Sequence, residues 1–283
     1  MIKDTDTNLV YISDKLRTKK RDFYNRFTCL LDEMGILWKE LEGTNDIWAR
    51  DYMPIQLDTN EFLMYQYNPD YLQEKKYNGT ITDARPICKE LGINYKETKL
   101  KLDGGNITMC GEYIVLTVKV FKENGKDDYD PEFTDLLKKK LGHEIIILPW
   151  HCDNSNDEDA DVYGHSDGFI HWCGGKKVLM SNHKETDPIE AEKIKKALVD
   201  KNFEVTEMLF DVQNPEPLLN WAYVNYLQVG NKIIVPAFGI AEDRQALKYI
   251  TEANLGCTIR QIRMRDIANN GGALHCITWN IRH

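Results

Sequence analysis

A cadence of helices that stop on glycine runs the length of this chain. The stretch from Lys19 to Met34 reads as a helix ending at Gly35, and the strand-like run ILWKELE follows it. Asp83 to Leu91 ends at Gly92 before INYKETKLKL, and Pro131 to Leu141 ends at Gly142 before HEIIILP. Pro188 opens a further helix to about Lys201, followed by FEVTEML, and Glu242 to Leu255 ends at Gly256 before CTIRQIRM. Proline suits a first helical turn, where its missing N–H is not needed, and glycine accepts the left-handed backbone just past a last turn. The glycine spacing corresponds to a period of about fifty-five residues, with the step from Gly142 to Gly256 covering about two periods.

Hairpins recur in step with the helices. ITMC-GE-YIVLTV, GFIHWC-GGK-KVLMS and YVNYLQV-GN-KIIVPA each place two apolar runs about a short turn containing glycine. Met53 to Tyr67 forms a fourth, turning near Asp58 to Asn60, and the N-terminal NLVYI can join the C-terminal HCITWNI to make a fifth. An ordinary open α/β sheet is the competing fold. A repeat that fills the chain and pairs its two ends implies a closed ring, with polar loops meeting near the axis. We therefore expect residues 1–283 to form one domain of mixed α/β class.

Of 283 residues, 42% are hydrophobic, enough for one sizeable core. The net charge of −9 opposes a nucleic-acid partner and suits a small cationic one. The N-terminal MIKDTDTNLVYISDK has no basic run leading into an apolar one, and no segment has the apolar length of a membrane span. No membrane association is expected. The 7 cysteines are odd in number and contain no C-x-x-C pair, which argues against a disulfide framework or structural zinc and for a reducing cytoplasm.

The loops after the helix–strand units hold the unusual residues. The first has Trp48, Arg50 and Asp51; the second, Asp103, Gly104, Gly105 and Asn106; the third, Gly164, His165 and Asp167. The fourth, NPEPLLNWAY, is uninformative, and the fifth carries Asn269 to Gly272, His275 and Cys276. Taken singly, each has a bland reading: a core cysteine, a surface histidine, an Arg–Asp salt bridge, an Asx turn. His165 and Asp167 also suit a metal, with His171, His151, Cys152 or His275 as further ligands, but their spacing matches no metal motif. Taken together, three carboxylates and a histidine around one thiol disfavour an anionic substrate. They favour a planar cation such as guanidinium, whose donors match carboxylates in pairs.

Four motifs in order then make the chain recognisable: Trp48-Ala49-Arg50-Asp51, Asp103-Gly104-Gly105-Asn106, Gly164-His165-Ser166-Asp167, and Asn269 to Thr278 with its Gly271-Gly272 and His275-Cys276. The sequence resembles the agmatine deiminase and bacterial peptidylarginine deiminase family of guanidine-modifying enzymes. That resemblance implies the pentein fold, a five-bladed α/β propeller of ββαβ units. It implies Cys276 as nucleophile, His165 as acid and base, Asp51 and Asp167 on the guanidinium nitrogens, and Asp103 at a position where the family pattern has glutamate. Trp48, Arg50, Asn106 and Gly272 would line the substrate pocket. No cofactor and no metal are implied.

The implied reaction is hydrolysis of a guanidine to a ureido product and ammonia, foremost agmatine to N-carbamoylputrescine in polyamine biosynthesis. Free or peptidyl arginine, transfer of the amidino group to an amine, and a non-catalytic guanidine-binding propeller stand as alternatives. Asp103 is one methylene shorter than the family glutamate, and misplacement by about 1 Å costs roughly a hundredfold in rate. The basic residues Arg244, Arg260, Arg263 and Arg265 are candidates to meet a substrate carboxylate. A homo-oligomer is compatible on general grounds, but no residue pattern specifies one.

Overall fold

A computed structural model describes residues 1–151 and 161–283; Cys152, one of the metal-ligand alternatives, lies outside the described residues. Five separate three-stranded sheets follow one another along the chain. In the first blade, Ile55–Asp58 pairs antiparallel with Glu61–Gln66, the helix Ala84–Glu90 crosses over, and Tyr95–Lys101 returns parallel to Glu61–Gln66. The second blade repeats this with Thr108–Cys110, Tyr113–Thr117, the helices Lys119–Glu123 and Pro131–Leu141, and Glu144–Leu148. The third uses Ile170–Trp172, Lys177–Met180, helix Pro188–Val199 and Glu204–Glu207. The fourth uses Leu227–Val229, Lys232–Ala237, helix Asp243–Ala253 and Thr258–Arg263.

The fifth blade closes the ring. Thr278–Ile281 runs antiparallel to Leu9–Ser13, with Leu9 opposite Ile281, and Leu9–Ser13 runs parallel to Leu37–Leu41 across the helices Asp14–Lys19 and Arg21–Glu33. The architecture is the five-bladed α/β propeller, built from the ββαβ repeat read in the sequence.

The punctuation works as local chemistry requires. Asp130 caps its helix by accepting from Phe133 N at 2.9 Å, Pro131 fills the first turn, and Gly142 ends it at φ 75°. Asp187 caps the helix opened by Pro188 by accepting from the N–H groups of Ile189 and Glu190. One helix differs from expectation: the segment predicted from Lys19 begins at Asp14 and breaks at Lys20, whose φ of −138° is not helical. Ser13 caps this earlier start by accepting from Lys15 N at 3.0 Å.

Burial follows position in the blade. The middle strand Leu9–Ser13 is buried throughout, whereas the outer strand Glu204–Glu207 alternates with solvent. Phe23, Phe27 and Leu31 lie at i, i+4 and i+8 on one helix face and are all buried. Each contributes roughly 1.5–3 kcal/mol by leaving water. The ring thus anchors its strands outward, and the loop from each third strand to the next blade is left to converge.

Candidate active site

Four inter-blade loops supply the residues singled out in the sequence, and they meet. The thiol of Cys276 donates to Asp167 Oδ2 over 3.7 Å. The ring of His165 lies between two carboxylates, with Nε2 at 2.8 Å from Asp103 Oδ2 and Nδ1 at 3.5 Å from Asp51 Oδ1. Asp51 Oδ1 also accepts from Gly105 N at 3.1 Å. Cys276, His165, Asp51, Asp103 and Asp167 are all buried.

Glycine is needed where these groups approach one another. A Cβ on Gly105 would lie 2.7 Å from Asp51 Oδ1, 2.8 Å from His165 Nδ1 and 3.2 Å from Asp167 Oδ1. A Cβ on Gly272 would lie 2.4 Å from the Trp48 ring and 3.1 Å from Cys276 Cβ. Backbone bare of side chains is what lets three loops crowd one point.

Burial and charge set the protonation states. His165 is pushed up to about 10, because burial, which disfavours the imidazolium, is outweighed by Asp51, Asp103 and Asp167. Asp51 is raised to about 7 by burial and by the neighbouring carboxylates, against the pull of His165 and the Gly105 N–H. Burial opposes ionisation of Asp167, but its hydrogen bond from His275 and the charges of His275 and His165 hold it below the ordinary carboxylate range. The Cys276 thiol is raised well above its usual value, by burial first and then by Asp167 and Asp51. The surroundings of this acid-rich site therefore favour a protonated His165 and an un-ionised Cys276 thiol. Among the described residues Asp103 Oδ1 is buried and has no hydrogen-bond donor, so it can accept one.

Two expected pocket residues face elsewhere. The Arg50 guanidinium donates to Asn280 Oδ1 and to the His275 carbonyl. The Asn106 amide donates to Thr117 Oγ1 at 3.1 Å and accepts from the N–H groups of Thr117 and Ser166, tying the second loop to the third. Both support the site from behind. Trp48 stays beside Cys276 across Gly272. His171 stacks on Tyr226 with ring centroids 3.7 Å apart. Among the described residues no three His, Cys, Asp or Glu side chains form a metal-binding group. Arg244, Arg260, Arg263 and Arg265 are exposed, and Arg265 pairs with Glu216.

The structure also supplies residues the sequence reading missed. Asn225, just ahead of the fourth blade's first strand, accepts from Cys276 N at 3.3 Å and donates to the Asp167 carbonyl at 3.2 Å. It falls within the run YVNYLQV read as a hairpin strand, whose strand begins only at Leu227, and that reading hid it. Tyr71 donates to Asp103 Oδ2 at 3.4 Å and packs edge-on against Tyr163, with centroids 5.0 Å apart. Tyr71 lies within the first blade rather than between blades, so the repeat did not point to it. Tyr163 sits over Gly271, where a Cβ would lie 2.6 Å from its ring.

With this geometry in place, the chain can be compared with known proteins. The family described as Porphyromonas-type peptidyl-arginine deiminase matches residues 10–281. A Mycoplasma capricolum protein provisionally named agmatine deiminase is 28% identical over 227 residues, 69% of this chain and 61% of its own. The chain thus spans about three fifths of that relative's length. A Legionella pneumophila protein with the same provisional name is 26% identical over 260 residues, 83% of this chain and 72% of its own. A C. jejuni agmatine deiminase variant with substrate bound superposes with a TM-score of 0.78 at 16% identity, covering 100% of this chain and 96% of that one.

Proposed function

The chain belongs to the Porphyromonas-type peptidyl-arginine deiminase family, and we propose that its residues 1–283 act as one catalytic domain that hydrolyses a guanidine to a ureido product and ammonia. The observation that carries this reading is the convergence of Cys276, His165 and three carboxylates on one buried point, where among the described residues Asp103 Oδ1 has no donor. A guanidinium brings up to five coplanar N–H donors and one positive charge, the complement of that site.

The chemistry follows from the protonation states. Guanidinium docks on Asp51 and Asp167, and its charge offsets the carboxylates that suppress the thiol, so Cys276 loses its proton to solvent as substrate binds. The thiolate sulfur bonds to the guanidinium carbon, giving a tetrahedral adduct. His165, protonated in the free site, delivers its proton to one nitrogen, and the C–N bond breaks to release ammonia. A covalent thiouronium remains on Cys276. Neutral His165 then takes a proton from water as that water adds to the carbon, and the C–S bond breaks as the adduct's remaining hydroxyl proton passes to sulfur, which yields the ureido product and restores the Cys276 thiol. Asp103 holds His165 through both steps.

Agmatine is the substrate we assign, supported by the names of the relatives and the substrate-bound C. jejuni structure. The four arginines that would serve a substrate carboxylate are exposed rather than gathered at the site. Among the described residues no helix is long and apolar enough to cross a membrane, and we place the enzyme in the cytoplasm on its thiol usage. The test is ammonia release from agmatine, arginine, methylated arginines and arginyl peptides, with Cys276→Ser as control. Release from agmatine that vanishes in the serine variant supports the reading. No release from any guanidine overturns it, and a new guanidine formed on an added amine points to amidino transfer.

A further inference from the structure

Next to the reaction centre lies a second arrangement, in which His275 is buried and Asp4 half-buried. His275 Nδ1 is 2.7 Å from Asp167 Oδ2, the same oxygen that faces the Cys276 thiol. His275 Nε2 is 3.4 Å from Asp4 Oδ2. Asp4 is itself fixed: its Oδ1 accepts from Asn280 Nδ2 at 2.8 Å, and its carbonyl accepts from Gly230 N at 3.1 Å. Asp4, Arg50, Asp167, His171 and His275 line one cavity of about 60 Å³. The N-terminal segment thus brings a carboxylate to the far nitrogen of the histidine that bonds Asp167.

We propose that Asp4 and His275 are positioning residues, a clamp in which a doubly protonated His275 held between two carboxylates fixes Asp167 beside Cys276. This rests on the hydrolase reading above and adds to it the residues that orient its carboxylate. The geometry carries it: both ring nitrogens face carboxylate oxygens, which only accept, so the ring satisfies both by donating from both nitrogens. Clamped through Oδ2, Asp167 keeps Oδ1 turned toward Gly105 and His165, where the guanidinium would lie.

The groups facing His275 agree. Burial and Arg50 oppose its protonation, but the hydrogen bonds to Asp167 and Asp4 prevail, and its pKa lies above the usual value. His171, with ring centroid 6.4 Å away, is lowered to about 4 by burial and stays neutral at working pH.

The test combines imidazole nitrogen NMR with the pH profile of ammonia release from agmatine. In the folded wild type at neutral pH, both His275 nitrogens are expected to carry protons; a neutral ring overturns the clamp without any variant. In Asp4→Asn, the His275 titration should fall by about one pH unit or more, since an opposite charge is removed. The alkaline limb of kcat/KM should move to lower pH with it, and Asp4→Glu should restore much of both. An unchanged His275 titration and pH profile in Asp4→Asn overturn the proposal. If the ring titrates as expected but no guanidine releases ammonia, the hydrolase reading fails while the charge clamp stands.

Discussion

His165 Nε2 lies 2.8 Å from Asp103 Oδ2, hydrogen-bond distance from a carboxylate one methylene shorter than the family pattern calls for. The second loop packs its backbone directly on the first. Gly104 packs so tightly on the Arg50 carbonyl that a Cβ there would lie 2.0 Å from it.

Lengthening this side chain should therefore harm the site. Asp103→Glu adds a methylene to a buried carboxylate that already reaches His165 and Tyr71. Overpacking of this kind costs about 1–3 kcal/mol, so both thermal stability and kcat/KM should fall. Asp103→Asn, which keeps the volume and removes the charge, should lower kcat/KM by roughly 10²-fold or more through loss of the acid–base partner. Steady-state ammonia assays decide it, and a glutamate variant faster than wild type would sink the argument.

The thiol of Cys276 should be un-ionised in the free enzyme at neutral pH. Its pKa is raised by burial and by Asp167 and Asp51. Ultraviolet thiolate absorbance, taken against Cys276→Ser, should show no thiolate near pH 7 and should rise when a non-hydrolysed guanidine is added. Asp167→Asn removes one opposing charge and should lower the free-enzyme pKa, even as it weakens guanidine binding. A fully ionised thiol in the empty site contradicts the substrate-assisted scheme.

The ring was legible in the sequence because its signals are local. Proline at 131 and 188 and glycine at 35, 92, 142 and 256 mark helix ends by backbone chemistry that needs no tertiary partner. That Cys276, His165 and the three carboxylates lie together was legible because they stand in equivalent loops. What stayed hidden depends on distant contacts. Asn225 acts through Cys276 and Asp167, each more than fifty residues away in sequence, and Asp4 acts through His275 from the opposite end of the chain. Arg50 and Asn106 sit in the right motifs, but their side chains bond Asn280 and Thr117 rather than the pocket. A motif fixes where a loop lies, and packing decides which way each side chain turns.

Stability should fall on the alkaline side through His165. Its folded pKa of about 10 exceeds the ordinary 6.5. A raised histidine contributes stability fully present below the unfolded pKa and lost as pH rises through the folded one. Between about pH 6.5 and about pH 10 the melting temperature should decline, more steeply than in His165→Asn, which lacks the titrating ring. Differential scanning fluorimetry of both proteins across this window gives the comparison. Parallel curves would show that His165 is not the group responsible.

Two glycines should separate catalysis from folding. Gly105 has the Asp51 and His165 side chains within 2.8 Å of where its Cβ would be. In Gly105→Ala those groups must shift, and displacement of reacting groups by about 1 Å costs roughly 10²-fold in rate. Gly142 has nothing within 4 Å of a Cβ but sits at φ 75°. There alanine meets only backbone strain, of order 1–2 kcal/mol. Gly142→Ala should thus lose several degrees of melting temperature and keep its kcat/KM, whereas Gly105→Ala should lose most of its activity even where the protein remains folded. Ammonia assays and thermal melts on the two variants test this together. Equal activity losses would mean that the crowding around Gly105 has no special bearing on the chemistry.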